Sequence, residues 1–409
     1  MPGKELARGY TTGTCAQAAA RAALKLLFGG KGAEVPGNVT VELPGGSHLT
    51  LPVEDTDVRW PEEGGRLPLQ VSCAVRKDSG DDPDVTNGIL IYTTVRRTGN
   101  PGIVLEGGAG VGRVTRPGLE QPVGSPAINQ VPRRMILGEA EAACEEAGYE
   151  GGLVICISIP EGERLAEKTF NPRLGIEGGL SILGTTGIVE PMSRQALIET
   201  IRLDIRVKRA AGAAFLILAP GNYGLDFLEE NYGIQPSEAV KCSNYIGEAL
   251  DMAREEGCKG LILAGHIGKL IKVAGGIMDT HSRQADCRME LLAAAALRCH
   301  LGEEKALAIL DSVTTEEALG KCTPKERELL GCEAAARAQE QIRRRVGEEI
   351  PAGVILFPAS MGSWGRAARQ KSFWNSIYRT GRKAGGRYEE ERRTLWRGGR
   401  AGGSGTSHS

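Results

Sequence analysis

Aromatic residues are scarce in this chain of 409 residues, because Phe, Trp and Tyr together make up only 4% of it. Proteins that bind nucleic acid usually combine aromatic rings for base stacking with a basic surface. The whole chain has a net charge of −1, and residues 361–409 contribute +8 to it from eleven Lys or Arg and three Glu. Residues 1–360 therefore carry a net charge of −9. The composition therefore argues against a nucleic-acid partner.

Long apolar runs are also missing. The longest mainly apolar runs cover residues 210–219 and 291–297, well short of the ~18 residues that a membrane span needs. The first ten residues lack the apolar core of a signal peptide. These absences predict a soluble, cytoplasmic protein with no membrane partner.

Paired cysteines are absent as well. None of the ten cysteines forms a CxxC motif, the spacing typical of structural zinc sites. Several, such as Cys144, Cys156 and Cys299, lie in apolar runs, where a reduced cysteine behaves as a small hydrophobic residue. We expect no protein-bound metal.

The chain is long and rich in glycine. Its length is about twice that of a usual domain, and its 57 glycines are roughly twice the usual proportion. In residues 1–175, Ala-rich and amphipathic helices at 15–27 and 133–147 flank short alternating segments, and an apolar strand is predicted at 153–159. This half is predicted to be an α+β domain.

The pattern changes after about Gly175. Residues 176–362 alternate predicted strands with helices, which indicates an α/β domain with a mainly parallel sheet; the strands are 180–183, 215–219, 261–264 and 354–357. The Gly-, Arg- and Ser-rich residues 363–409 have no periodicity and are predicted to be a disordered basic tail. Ala-rich segments such as 291–297 fit either a core or the interface of a homo-oligomer.

A turn rich in hydroxyl groups precedes the first helix. Thr11, Thr12 and Thr14 lie where free backbone N–H groups and the helix dipole favour an anion. These residues are candidates for binding a carboxylate or phosphate. The alternative is a plain helix N-cap.

An acidic segment follows a predicted strand at residues 76–84. Its four aspartates lack the spacing of a calcium-binding EF-hand loop. Asp78 is a candidate base or substrate contact. A solvated acidic turn is the alternative.

Glycines and arginines alternate between residues 107 and 134. No helix opens directly after Gly108, Gly110 and Gly112, so this is not a dinucleotide-binding fingerprint. The arginines can present paired donors to carboxylates from a stiff backbone, and the candidates are Arg113, Arg116, Arg133 and Arg134. A simple turn or bulge is the alternative.

A second Gly-rich stretch covers residues 178–191 and lacks the Gly-Lys-Ser/Thr of a phosphate-binding P-loop. It is expected at the carboxyl end of a parallel strand, where α/β sheets bind their ligands. Its residues suit a non-phosphorylated adenosyl ligand, with the candidates Gly184, Thr185, Thr186, Gly187 and Glu190. A strand-to-helix turn is the alternative.

Two histidines follow apolar runs beside glycine and basic residues. His266 and His281 can take or give a proton near neutral pH. Each is equally compatible with a structural role.

Several of these motifs, in this order, resemble those of the cobalt-precorrin-5B C1-methyltransferase family of anaerobic cobalamin biosynthesis. The similarity covers about residues 5–360, and the motifs that carry it are residues 9–15, 77–86, 110–115 with 126–129, 184–193, and 280–282 with 285–286.

The resemblance implies transfer of a methyl group from S-adenosylmethionine to C-1 of cobalt-precorrin-5B, with the cobalt carried by the substrate. It also implies a first domain like the second domain of ribosomal protein S5, followed by an α/β domain. On this basis the arginines and the Thr11–Thr14 turn would hold substrate carboxylates, and the Gly184–Glu190 loop would hold S-adenosylmethionine. His266, Asp78 or His281 would handle protons.

Two other hypotheses stay open at this point: a non-catalytic corrinoid-binding or channelling protein, and a small-molecule kinase. Transient contacts with neighbouring pathway enzymes are compatible with both the channelling protein and the methyltransferase. No clear Lys and Mg²⁺-binding Asp lie beside the Gly107–Gly112 segment, as a kinase would require.

Overall fold

The computed structural model describes residues 6–62 and 64–358, so the predicted tail at 363–409 lies outside the described residues. The chain divides into two compact units, Met1–Ala211 and Gly212–Ser409. The change therefore comes later than the expected boundary near Gly175. The reason is that two short strands after Gly175 pair with strands of the first unit.

The first unit combines a sheet with helices. Its elements are β1 (Gly9–Tyr10), α1 (Thr12–Gly29), β2 (Asn38–Glu42), β3 (His48–Pro52), β4 (Asp55–Arg59), β5 (Gln70–Arg76), β6 (Leu90–Thr98), β7 (Gly102–Gly107), β8 (Arg113–Val114), α2 (Gln130–Ala147), β9 (Gly152–Ser158), α3 (Gly162–Ala166), β10 (Ile176–Glu177), β11 (Ile188–Val189) and α4 (Arg194–Ala210). The five-stranded sheet has the order β4-β5-β6-β9-β7, and only its β7–β9 pair is parallel.

Helices α1 and α2 pack against each other, and α1 also lies on strands β5 and β6. Helix α1 is buried over most of its length, which its many alanines allow because they let neighbouring elements approach closely. Thr11 caps its start, with the Thr14 N–H donating to the Thr11 hydroxyl oxygen at 3.2 Å. Helix α2 is capped at its C-terminus by Gly148, whose φ of 58° is the left-handed conformation that glycine adopts at low cost.

The second unit is built on a parallel sheet. Its elements are β12 (Phe215–Ala219), α5 (Asn222–Tyr232), β13 (Val240–Lys241), α6 (Ile246–Glu255), β14 (Gly260–His266), α7 (Ile267–Ala274), α8 (Arg288–Arg298), α9 (Glu303–Leu310), α10 (Thr315–Gly320), α11 (Pro324–Val346) and β15 (Ala352–Phe357). The sheet order is β13-β12-β14-β15, with all three pairs parallel. The chain is thus a mixed α/β protein. Across the described ranges, no helix is both long and apolar enough to cross a membrane.

The order of the parallel strands creates a switch point between β12 and β14. The connection after β12 leads to β13 on one side, and the connection after β14 leads to β15 on the other. In open α/β sheets, ligands bind at the carboxyl ends of strands where the connections diverge in this way. In the second unit this edge lies at Ala219 and His266.

Candidate functional site

Three of the predicted motifs meet at the start of helix α1 in the first unit. The Tyr10 N–H donates to the Asp78 carbonyl at 2.8 Å, and the Thr11 N–H donates to the Gly187 carbonyl at 3.0 Å. The Gly13 N–H donates to the Leu183 carbonyl at 3.0 Å. The hydroxyl-rich turn, the acidic segment and the second Gly-rich stretch are therefore neighbours, although the bonded residues are 68 to 176 positions apart along the chain.

The threonines of the turn are engaged within the protein. Thr14 donates its hydroxyl to the Gly187 carbonyl at 2.7 Å. The Thr12 hydroxyl lies 3.2 Å from the Ser181 carbonyl and accepts the Leu183 N–H at 2.9 Å. All three threonines are buried, and Thr11 serves as the N-cap. A substrate contact for Thr11, Thr12 and Thr14 stays a prediction.

Replacing Thr14 with valine removes one buried hydroxyl donor while keeping the shape of the side chain. We expect Thr14→Val to lower the free energy of unfolding by about 1 kcal/mol, because the Gly187 carbonyl loses its shortest hydrogen bond. Thr185→Val is the matched control, since Thr185 is exposed. Denaturant unfolding of both variants measures the difference, and equal stabilities would contradict the assignment.

The glycines of the second Gly-rich stretch are required by packing. A Cβ at Gly184 would lie 2.3 Å from Oγ1 of Thr11, and one at Gly187 would lie 2.7 Å from Cδ2 of Leu43. Both residues also have positive φ, 135° and 84°, a conformation that favours glycine. The backbone of this loop is thereby fitted to the start of α1.

The expected position of this loop, at the carboxyl end of a parallel strand of the α/β domain, is wrong. Leu180 and Ile182 form only isolated bridges, with Val111 and Ile128 of the first unit, and β11 pairs antiparallel with β1. A short apolar run resembles a strand in sequence whichever partner it finds, so its pairing was not predictable. A role of Gly184, Thr185, Thr186, Gly187 and Glu190 in binding a ligand stays a prediction.

All four aspartates of the acidic loop accept a backbone N–H. Asp81 accepts the Ala7 N–H, Asp82 accepts the Met192 N–H and Asp84 accepts the Thr86 N–H, each at 2.8 Å. Asp78 accepts the Gly80 N–H through Oδ1, and its side chain is exposed. Asp78 and Asp81 are thus the two carboxylates of the loop that are open to solvent, and a role of Asp78 as base or substrate contact stays a prediction.

A buried lysine beneath this loop was given no role by the sequence prediction. The Lys77 ammonium is 3% exposed, donates to the Ser79 hydroxyl and lies 2.8 Å from Oδ2 of Asp84. Burial alone would raise the pKa of Asp84, but the Lys77 hydrogen bond and charge hold it below its usual value. The two-residue period of a strand is the sequence signal that could have found Lys77, because Cys73, Val75 and Lys77 are at alternate positions and all three are buried.

The four candidate arginines fall into two groups. Arg133 and Arg134 lie near the start of α2, and Asn129, which precedes the helix, donates its N–H to the Ile182 carbonyl at 2.9 Å. Arg113 lies in β8 and donates to the Gly124 carbonyl at 3.0 Å. Arg116 packs on Gly175, where a Cβ would lie 2.6 Å from its side chain. Binding of substrate by these arginines stays a prediction.

The two candidate histidines belong to the second unit and differ in their contacts. His266 caps α7: its Nδ1 accepts the Gly268 N–H at 3.0 Å, and its Nε2 lies 3.0 Å from Oε1 of Glu316. Burial lowers the pKa of His266, with Glu316 opposing the shift, so a neutral ring is expected at pH 7. His281 is exposed, and its Nδ1 accepts the Arg283 N–H at 3.1 Å. Of the two, His281 is better placed to exchange a proton with a ligand.

Comparison with known proteins decides the family. Residues 1–191 match the family model described as CbiD, and residues 279–368 match CbiD, C-terminal domain. A cobalt-precorrin-5B C(1)-methyltransferase of Ruminiclostridium cellulolyticum is 48% identical over 315 residues, which cover 77% of this chain and 79% of the relative. This chain belongs to the cobalt-precorrin-5B C(1)-methyltransferase family, CbiD. The family resemblance inferred from the motifs is confirmed.

Two further proteins of this family are similar to the chain. The cobalt-precorrin-5B C(1)-methyltransferase of Alkaliphilus metalliredigens is 43% identical over 363 residues, 88% of this chain and 92% of the relative. A 1.9 Å crystal structure of the cobalamin biosynthesis protein cbiD from Archaeoglobus fulgidus is 30% identical, with a TM-score of 0.36, and the match covers 68% of this chain and 83% of that one.

Proposed function

We propose that this chain transfers a methyl group from S-adenosylmethionine to C-1 of cobalt-precorrin-5B, forming cobalt-precorrin-6A in anaerobic cobalamin biosynthesis. The observation that carries the proposal is the family membership. Relatives named for this reaction are 48% and 43% identical over most of both chains. In this proposal the cobalt belongs to the substrate, and the likeness of the first unit to a ribosomal protein S5 domain remains an expectation of the resemblance.

The chemistry makes limited demands on the protein. S-adenosylmethionine supplies an electrophilic methyl group on a sulfonium, and an electron-rich ring carbon of the macrocycle accepts it. The protein contributes mainly by holding two large molecules in line, which can account for several kcal/mol of the barrier. A positioned base assists loss of a proton from the macrocycle, and Asp78 and His281 are the best placed candidates for that role.

The residues proposed to hold S-adenosylmethionine have suitable chemistry. Thr185, Thr186 and Glu190 are exposed side chains on a loop whose backbone is fixed against α1. Hydroxyl and carboxylate oxygens accept hydrogen bonds from ribose hydroxyls and from an ammonium group. Glu190 also pairs with Arg8 at 3.3 Å on the surface, a weak contact that a ligand can replace.

The arginines are proposed to hold carboxylates of the macrocycle. We expect Arg113→Ala to weaken binding of the tetrapyrrole by about 1.5–3 kcal/mol, the usual range for a hydrogen bond to a charged group, while leaving the affinity for S-adenosylmethionine unchanged. Titration calorimetry with each ligand separates the two effects. Unchanged tetrapyrrole affinity would exclude Arg113 from the substrate site.

Ligand binding by the purified protein tests the proposed function against its alternatives. We expect calorimetry to detect binding of S-adenosylmethionine and S-adenosylhomocysteine, and no binding of ATP. Tetrapyrrole binding without S-adenosylmethionine binding would indicate a channelling protein. Binding of ATP alone would indicate a kinase and would overturn the proposal.

A further inference from the structure

Three lysines lie along the carboxyl edge of the parallel sheet in the second unit. Lys241 ends β13, and Lys269 and Lys272 lie in α7, which begins directly after β14. Strand β12 lies between β13, which ends at Lys241, and β14, which leads into α7. Its own end at Ala219 lies at the switch point. This edge is where the topology alone predicts a ligand.

Lys272 is an unusual buried charge. Its side chain is 3% exposed, and its ammonium donates to the Thr280 carbonyl at 3.2 Å. Among the ion pairs formed within the described ranges, none involves Lys272. Asp286 interacts electrostatically with Lys272, but its two carboxylate oxygens accept hydrogen bonds from the Arg288 guanidinium at 2.7 and 2.8 Å. A buried ammonium is costly unless an anion accompanies it.

Lys269 adds a second positive charge at the same place. It is partly buried, and its ammonium forms no ion pair with any carboxylate in the part of the chain that the structure describes. Burial lowers the pKa of Lys269; Cys242 opposes this effect, while the charges of Lys241 and Lys272 add to it. Lys269 and Lys272 are three residues apart in α7, which makes them neighbours on the helix surface, and Lys241 ends a strand of the same parallel sheet. An anion bound at this edge would offset the positive charge gathered there.

The surroundings of these lysines offer further polar contacts. The Thr280 N–H donates to the Asn244 carbonyl at 3.1 Å, and the Thr280 hydroxyl lies 3.5 Å from Oδ1 of Asn244. The preceding residue, Ser243, has a φ of 53°, which non-glycine residues rarely adopt. Thr280, whose carbonyl accepts from Lys272, opens the motif of residues 280–282 with 285–286 that carried the family resemblance, and the proposed function gives a role only to His281 among them.

We propose that Lys241, Lys269 and Lys272 form a binding site for a carboxylate group of a ligand. This inference rests on the proposed function, in which both ligands carry carboxylates. The carboxylate comes either from the aminoacyl end of S-adenosylmethionine or from an acetate or propionate side chain of the macrocycle. Ammonium groups held at a sheet edge bind either one by charge-assisted hydrogen bonds.

The test measures binding to the full chain by calorimetry, with three probes. S-adenosylmethionine carries the aminoacyl carboxylate, 5′-methylthioadenosine keeps the nucleoside without it, and uroporphyrin is a tetrapyrrole with acetate and propionate carboxylates. We expect Lys272→Met to weaken binding of either S-adenosylmethionine or uroporphyrin, whichever places its carboxylate at this site, about ten- to a hundred-fold. Binding of 5′-methylthioadenosine should not change.

Thermal unfolding distinguishes a loss of ligand binding from a loss of folding. We expect Lys272→Met to keep or raise Tm, because an apolar side chain replaces a buried charge that lacks a carboxylate partner. Should that variant fail to fold, Lys269→Met, at a partly buried position, provides the same binding test. The matched control is Lys259→Met, since Lys259 is an exposed lysine of the same unit.

The outcomes separate the source of the carboxylate from the existence of the site. Weaker binding of S-adenosylmethionine alone supports the site with the aminoacyl carboxylate as its ligand. Weaker binding of uroporphyrin alone supports the site with a macrocycle carboxylate. Unchanged binding of both, or an equal loss in Lys259→Met, overturns the site. Failure of the unaltered chain to bind S-adenosylmethionine would overturn the proposed function, while the uroporphyrin arm would still decide the site.

Discussion

Lys77→Met is expected to lower the free energy of unfolding by about 1.5–3 kcal/mol, the usual value of a hydrogen bond to a charged group, because Lys77 is buried while Asp84 is partly exposed. The variant leaves the Asp84 carboxylate without the ammonium that lies 2.8 Å from it, and leaves the Ser79 hydroxyl without its lysine partner. Denaturant unfolding of the full chain, followed by circular dichroism, measures the change.

Two further variants show that the effect belongs to the pair. Arg76→Met removes the neighbouring cation, which is exposed and pairs with Glu54 on the surface, so little change is expected. Lys77→Met combined with Asp84→Leu should be less destabilised than Lys77→Met alone, because no partly buried carboxylate is left without its partner. A Lys77→Met protein as stable as the unaltered chain would refute this account of the acidic loop.

The same pair has a consequence at low pH. The pKa of Asp84 is lower in the folded protein than its usual value, so the unfolded chain binds the proton more tightly. The stabilisation is therefore fully present above the unfolded pKa of about 4 and is lost as the pH falls through the lower, folded value. Lys77→Met should weaken this acid dependence.

Asp78→Asn is expected to lower kcat by about a hundred-fold or more, the usual contribution of a positioned general base. Asp78 and Asp81 are the two exposed aspartates of the acidic loop, and Asp78 is the one proposed as the base. Asparagine keeps the acceptor for the Gly80 N–H, so the fold and Tm should not change. Steady-state methylation of cobalt-precorrin-5B, with Tm measured alongside, tests this.

The matched control for that experiment is Asp81→Asn, which removes a charge from the same loop and keeps an acceptor for the Ala7 N–H. It should keep kcat within a few-fold of the unaltered protein. Wild-type kcat in Asp78→Asn would exclude Asp78 as the base, and His281→Asn would then be the variant to measure, since His281 is the more exposed of the two histidines.

Much of the secondary structure was predictable because it depends on local pattern. The strand predicted at 215–219 matches β12, and the helix predicted at 133–147 matches the end of α2 at Ala147 and begins three residues late. Glycine after an amphipathic run ends a helix by a local conformational preference. Pairing was not predictable in the same way, because the parallel contact of β7 with β9 and the bridges of Leu180 and Ile182 join distant segments.

The candidate site was predictable as motifs and not as contacts. Thr11, Thr14 and Gly187 lie in two of the motifs that carried the family resemblance, but the structure has these residues bonding to one another. Composition cannot distinguish a hydroxyl that serves a ligand from one that serves a backbone carbonyl. The buried Lys272 was missed because a single lysine in a helix usually points to solvent, and only its burial separates it from the exposed Lys259.

The most direct test of the proposed function is a single-turnover reaction with cobalt-precorrin-5B and S-adenosylmethionine that carries an isotopically labelled methyl group. The tetrapyrrole product is isolated and examined by mass spectrometry and NMR. We expect the labelled methyl group on C-1, with one S-adenosylhomocysteine released for each tetrapyrrole methylated. A tetrapyrrole recovered without label, or with the label on another ring carbon, would contradict the proposed function.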